Sequence, residues 1–151
     1  MSNKLPTKRD VKFLLAEDVR QEILGKVSLQ GLMPGEEFLV GGKPPPGVGA
    51  NVAFVIPSLA FVFVVTGSGE GKFNGRFKII APDKKTIIEI PADKPIEKVA
   101  GKATMFMTAA KPFIGPAFGT YTVQLELDKA KFAFAMIIGK GPANARSRRA
   151  P

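Results

Sequence analysis

Residues 120–127 alternate without exception: Tyr121, Val123, Leu125 and Leu127 fall on one parity, and Thr120, Thr122, Gln124 and Glu126 on the other. Successive side chains of a strand point to opposite faces, so this pattern reads as a strand with one face buried. The same period returns in Phe73, Gly75, Phe77, Ile79 and Ala81, set against Asn74, Arg76 and Lys78. It returns again in Val27, Leu29 and Gly31, set against Ser28 and Gln30. Val11–Ala16, residues 86–90, 103–108 and 132–138 are further short runs of β-forming residues. Leu59–Val65 is apolar on both parities, as a central strand covered on both faces would be. No helical period appears anywhere.

Turn signals separate these runs. Residues 67–71 are Gly-Ser-Gly-Glu-Gly, and Pro82 and Asp83 open the turn between two strands that pair as a hairpin over residues 72–90. Asp128 and Lys129 turn the chain into a second hairpin. Residues 40–49 hold three successive prolines flanked by glycines and read as a connector. Residues 91–102 read as a second connector and residues 112–119 as a loop. Residues 17–22 fit either a helical turn or the rest of a long edge strand. Roughly eight short strands punctuated in this way predict an all-β fold: an antiparallel two-sheet sandwich, immunoglobulin-like or C2-like. The order Gly119-Thr-Tyr-Thr-Val123 suits a tyrosine corner, in which the hydroxyl bonds back to the preceding turn.

The chain of 151 residues is one domain's length, and 45% apolar content is enough for a core without staples. Its expected organisation is a flexible arm at residues 1–10, the sandwich at 11–138 and a basic tail at 139–151. There is no cysteine, which suits a reducing compartment and excludes disulfides and thiolate chemistry. There is no histidine, which removes the usual general base and the commonest transition-metal ligand. The start of the chain is polar and charged, and the longest apolar run is too short for a membrane helix. A cytoplasmic, non-membrane protein is expected.

The glycine-rich loop at 67–71 fails as a phosphate cradle. A dinucleotide fingerprint would need a third glycine where Lys72 stands, and a Walker loop would need Ser or Thr where Phe73 stands. The carboxylate pairs Glu17/Asp18 and Glu36/Glu37 are adjacent, so on a strand they diverge. A calcium site from Asp83 and Asp93 has no loop spacing behind it. Ser28, Ser58, Ser68, Lys26 and Lys72 stand in no nucleophile motif. No catalytic residue, cofactor or metal is expected.

Charge is concentrated at the ends. Lys4, Lys8, Arg9, Lys140, Arg146, Arg148 and Arg149 stand there against Asp10 alone, so +6 of the net +9 is terminal. Lys140, Arg146, Arg148 and Arg149 are the candidate polyanion contacts, because arginine forks and loose cationic tails attract phosphates. With no tryptophan and the phenylalanines on core parity, a stacking platform is missing. Weak, non-specific nucleic-acid binding is therefore the rival expectation.

The opening strands resemble a group of short bacterial proteins. In that group an acidic segment leads to Gly-Lys-x-Ser-Leu-x-Gly, here Gly25, Lys26, Ser28, Leu29 and Gly31. Pro82 and Asp83, and Gly119, Tyr121 and Val123, are similar too, so the likeness spans residues 11–138. It implies a β-sandwich and carries no functional residue across. The leading expectation is a non-enzymatic protein-binding or assembly module, with a protein partner or self-assembly. A polyanion-binding accessory protein and a structural subunit of a larger particle are the rivals.

Overall fold

The computed structural model describes residues 3–21, 26–32, 37–40 and 52–141. After a short 3-10 turn at Lys8–Asp10, fourteen strands follow among these residues: β1 (Val11–Ala16), β2 (Asp18–Gln21), β3 (Val27–Gln30), β4 (Glu37–Val40), β5 (Phe54–Ile56), β6 (Leu59–Val65), β7 (Gly71–Phe73), β8 (Gly75–Ile80), β9 (Thr86–Pro91), β10 (Ile96–Lys98), β11 (Thr104–Ala110), β12 (Phe113–Gly115), β13 (Gly119–Leu127) and β14 (Ala130–Lys140). Two larger sheets face each other, ordered β1-β6-β11 and β4-β14-β13-β8-β9. The fold is thus an all-β sandwich. No helix among the described residues is long and apolar enough to cross a membrane.

More strands are present than the eight expected, because long runs are cut where the chain bends between sheets. β5-β6-β7 and β10-β11-β12 are the two arms of one antiparallel ribbon. Phe73 pairs with Ile96, Val65 with Thr104 and Ile56 with Phe113, so neither arm gains or loses a residue along its length. One interruption falls where Pro57 and Pro112 would face each other, and proline has no N–H to give a ladder. The tip of the ribbon, β8 and β9, folds over into the second sheet and lies against β13. Residues 91–102 and 112–119, expected to be free of strand, therefore contain β10 and β12. Residues 18–21, left open between helix and strand, pair with β3 as a hairpin. One pair departs from the antiparallel expectation: β4 runs parallel to β14. The triple-proline segment lies outside the described residues.

Phenylalanines fill the space between the sheets. Phe61 and Phe63 of β6 meet Phe77 of β8 at ring separations of 5.0 and 6.0 Å. Val123, Leu125 and Leu127 complete the layer from β13, all buried as their parity predicts. Phe134 is only half-buried: its inner side meets Phe13 and Phe63, while the Lys8 ammonium lies 3.7 Å above the ring. At one end Phe54 and Phe113 close the core against Tyr121. Gly115 makes this possible, since a Cβ there would stand 2.0 Å from Phe54 Cζ.

Tyr121 forms the expected corner. Its hydroxyl donates to the Ala117 carbonyl at 2.5 Å and accepts from the Ala117 amide at 3.4 Å, with the ring fully buried. Burial also pushes the phenol up from its ordinary value. Tyr121→Phe removes the donor and leaves that carbonyl short of a partner. A loss of about 1–2 kcal/mol in urea unfolding is expected, with an unchanged circular dichroism spectrum.

Candidate docking surface

The register of the three-stranded sheet sorts its residues into two faces. Toward the core lie Phe13, Phe63 and Phe106 in one row, and Leu15, Phe61 and Thr108 in the next. The outer face has three rows: Lys12, Val64 and Met105; Leu14, Val62 and Met107; Ala16, Ala60 and Ala109. Lys12 is the one charge among them. The alternation stays apolar on both sides, and Ala16, Ala60 and Val62 of this outer face are themselves fully buried. The alanine row lies at the end where β2 passes, its Asp18 carboxylate 3.2 Å from the Lys111 ammonium. That pairing, with the Val19 amide, holds the Asp18 carboxyl below the usual carboxylate range. Toward the other end Met105 is 38% exposed, and Leu14, Val64 and Met107 are half-buried.

This face runs out to β11, which among the described residues is an edge of its sheet. The outer strands of the two larger sheets otherwise carry features that discourage pairing with another chain. β1 has Lys12, β4 has Glu37, and β9 has Glu89, Pro91 and a bulge where Ile79 and Ile80 pair with Ile88 and Thr86. β11 holds no charge, no proline and no bulge over Thr104–Ala110.

The glycine loop at 67–71 presents carbonyls rather than amides to a cation. Lys98 of β10, 2% exposed, donates to the carbonyls of Gly67 at 2.8 Å, Gly69 at 3.2 Å and Val99 at 2.8 Å. Gly67, at φ +82°, also leaves room for the Asp10 carboxylate, which a Cβ would meet at 2.4 Å. Residues 3–10, expected as a flexible arm, run along this loop. Lys4 and Glu70 exchange backbone bonds of 2.8 and 2.9 Å, Asn3 donates to the Lys72 carbonyl at 2.7 Å, and the Thr66 amide donates to Asp10 at 2.7 Å.

Of the expected polyanion contacts, Lys140 is the exposed last residue of β14, paired with Val40, so the body extends beyond residue 138. Arg146, Arg148 and Arg149 lie outside the described residues. Among the other polar candidates, Ser58 donates to the Glu17 carbonyl at 2.6 Å and Asp83 accepts the Lys85 amide at 3.0 Å within its turn. A polar cleft of about 540 Å³ lies between residues 74–78, 91–95 and 126–128. Its lining sets Arg76, Lys78 and Lys94 against Asp93, Glu126 and Asp128, with Lys78 paired to Glu126 at 3.0 Å and Arg76 to the neighbouring Glu89. It therefore offers no field of one sign. No protein-family model and no curated protein matches the chain.

Proposed function

We propose that the chain is a non-enzymatic protein-binding or assembly module that docks through the outer face of its three-stranded sheet. One observation carries this: beyond Ala16, Ala60 and Val62, which the fold already buries, the face presents Leu14, Val64, Met105, Met107 and Ala109 with Lys12 as its one charge, and it ends at a strand edge that pairs with no other strand among the described residues. An apolar surface of that kind gains by leaving water, and an edge strand adds main-chain bonds to the gain. The lack of cysteine suits work in the cytoplasm. Capture of protein partners on the tagged full chain from nuclease-treated native lysate tests the reading. Partners retained by the wild type and lost in Met105→Lys would support it. Partners lost with nuclease alone would favour polyanion binding instead.

The tail is then accessory. β14 ends at Lys140 and the Gly141 amide bonds the Val40 carbonyl at 2.9 Å, so truncation belongs after Gly141. Removing residues 142–151 takes away Arg146, Arg148 and Arg149 and leaves every described strand whole. The full chain is expected to bind duplex DNA weakly at low salt, with no sequence preference. The truncation should flatten the salt dependence by about 0.9 in slope per lost phosphate contact. Binding titrations across a salt series measure this. Tight, salt-resistant binding by the truncated chain would reverse the ranking.

A further inference from the structure

We propose that two copies of the chain pair edge to edge through β11, antiparallel and centred on Phe106, merging their three-stranded sheets into one. The proposal rests on the assembly reading and names its partner. Thr104-Met105-Phe106-Met107-Thr108 reads the same in both directions. Antiparallel strands related by a twofold axis place each position opposite its mirror position. Thr104 of one copy then faces Thr108 of the other, Met105 faces Met107, and Phe106 faces Phe106. Threonine pairs and aromatic pairs are among the favourable cross-strand combinations.

Charge agrees with this register. Lys102 and Lys111 bracket the strand, and the twofold sets them opposite Ala110 and Gly101, so no lysine faces a lysine. Lys111 is already matched by Asp18 at 3.2 Å. On the outer face, Met105 and Met107 across the seam join the apolar rows of the two copies into one surface. A twofold contact of this kind is closed: each copy uses its β11 once, and no β11 edge remains to recruit a third.

The native full-length chain should sediment as a dimer of the 16.1 kDa chain at micromolar concentration. M105K/M107K sets lysine opposite lysine twice in this register. Dimerisation should weaken by about tenfold or more with the circular dichroism spectrum unchanged, since Met105 is exposed and Met107 half-buried on the outer face. The chain has no cysteine of its own, so M105C/M107C reads the register directly. Mild oxidation should give a covalent dimer on a non-reducing gel, and Ile114→Cys, an equally exposed position on β12, should not. The crosslink decides the matter even where the lysine variant fails to fold. A monomeric wild type, a dimer indifferent to M105K/M107K, or equal crosslinking at Ile114 would each overturn the proposal. A monomeric wild type that still captures other proteins, and loses them in M105K/M107K, would overturn self-pairing while leaving the docking face in place.

Discussion

Phe77→Ala is expected to destabilise the fold by about 3–5 kcal/mol, the usual cost of emptying a buried phenylalanine site. Phe77 is 1% exposed and stands where the two sheets touch, with Phe61 and Phe63 across from it. Those rings belong to the central strand of the facing sheet, which is bonded on both sides. The sheet has little freedom to collapse into the void, so the cost should fall in the upper part of the range. The urea midpoint should fall accordingly with the slope of the transition unchanged. A shift near zero would mean the sheets are not joined through this ring.

Lys98→Met keeps the length of the side chain and deletes its charge. Three carbonyls then lose a charged donor: those of Gly67 and Val99 keep the amides of Gly101 and Lys102 at 2.9 and 3.0 Å, while that of Gly69 loses its lysine at a buried position. A bond to a charged group contributes about 1.5–3 kcal/mol, and an orphaned buried carbonyl costs about 1–3. A net loss of about 3 kcal/mol is expected. Lys72→Met, an exposed position on the neighbouring strand, should stay within about 0.5 kcal/mol. Hydrogen exchange gives a second readout, because the loop that Lys98 organises also holds residues 3–10. The amides of Lys4, Thr66 and Glu70 should exchange faster in the variant. Acid should loosen the same region in the wild type. The Thr7 amide, and after it the Thr7 hydroxyl, hold the Asp10 carboxyl below its ordinary value of 3.8. A carboxyl lowered in this way stabilises the fold above that value, and the contribution fades as the pH drops below it. An unchanged exchange rate in Lys98→Met would mean the loop is shaped without the lysine.

Much of the sandwich was legible because parity is a local property. The alternation of residues 120–127 and of Phe73 to Ala81 names the inward side chains with no knowledge of their partners. Tyr121 was readable as a corner from its place after Gly119. What parity leaves out is who pairs with whom. β10 and β12 are three residues each and sit among prolines; they are strands because the opposite arm holds them in register. Phe134 has core parity, yet the Lys8 cation takes its outer side, a contact between residues far apart in sequence. Lys98 has a signal of its own: in Ile96-Glu97-Lys98 it shares the parity of the isoleucine, so it points with the apolar side. The proposed docking face depends on β11 ending the sheet. Pairing decides that, and composition does not. The palindrome of residues 104–108 is visible in the sequence, but that it lies on an edge strand among the described residues is not.

The ribbon of β5-β6-β7 with β10-β11-β12 bears on how the chain finds its fold. Its pairs nest about the turn between β8 and β9. The first closure is therefore a tight hairpin, and each later pair joins residues that the previous pair has already drawn together. Loop-closure entropy rises only with the logarithm of loop length and here is met in small instalments. Contacts that look distant in sequence, such as Phe113 with Ile56, are kinetically near neighbours once the zipper has passed the position before them. The non-local pairings that lie outside this zipper are three: β1 along β6, β13 along β8, and β4 beside β14. The ribbon thus assembles as if it were local, and the slow, non-local part of folding is left to the docking of the chain's two ends onto it.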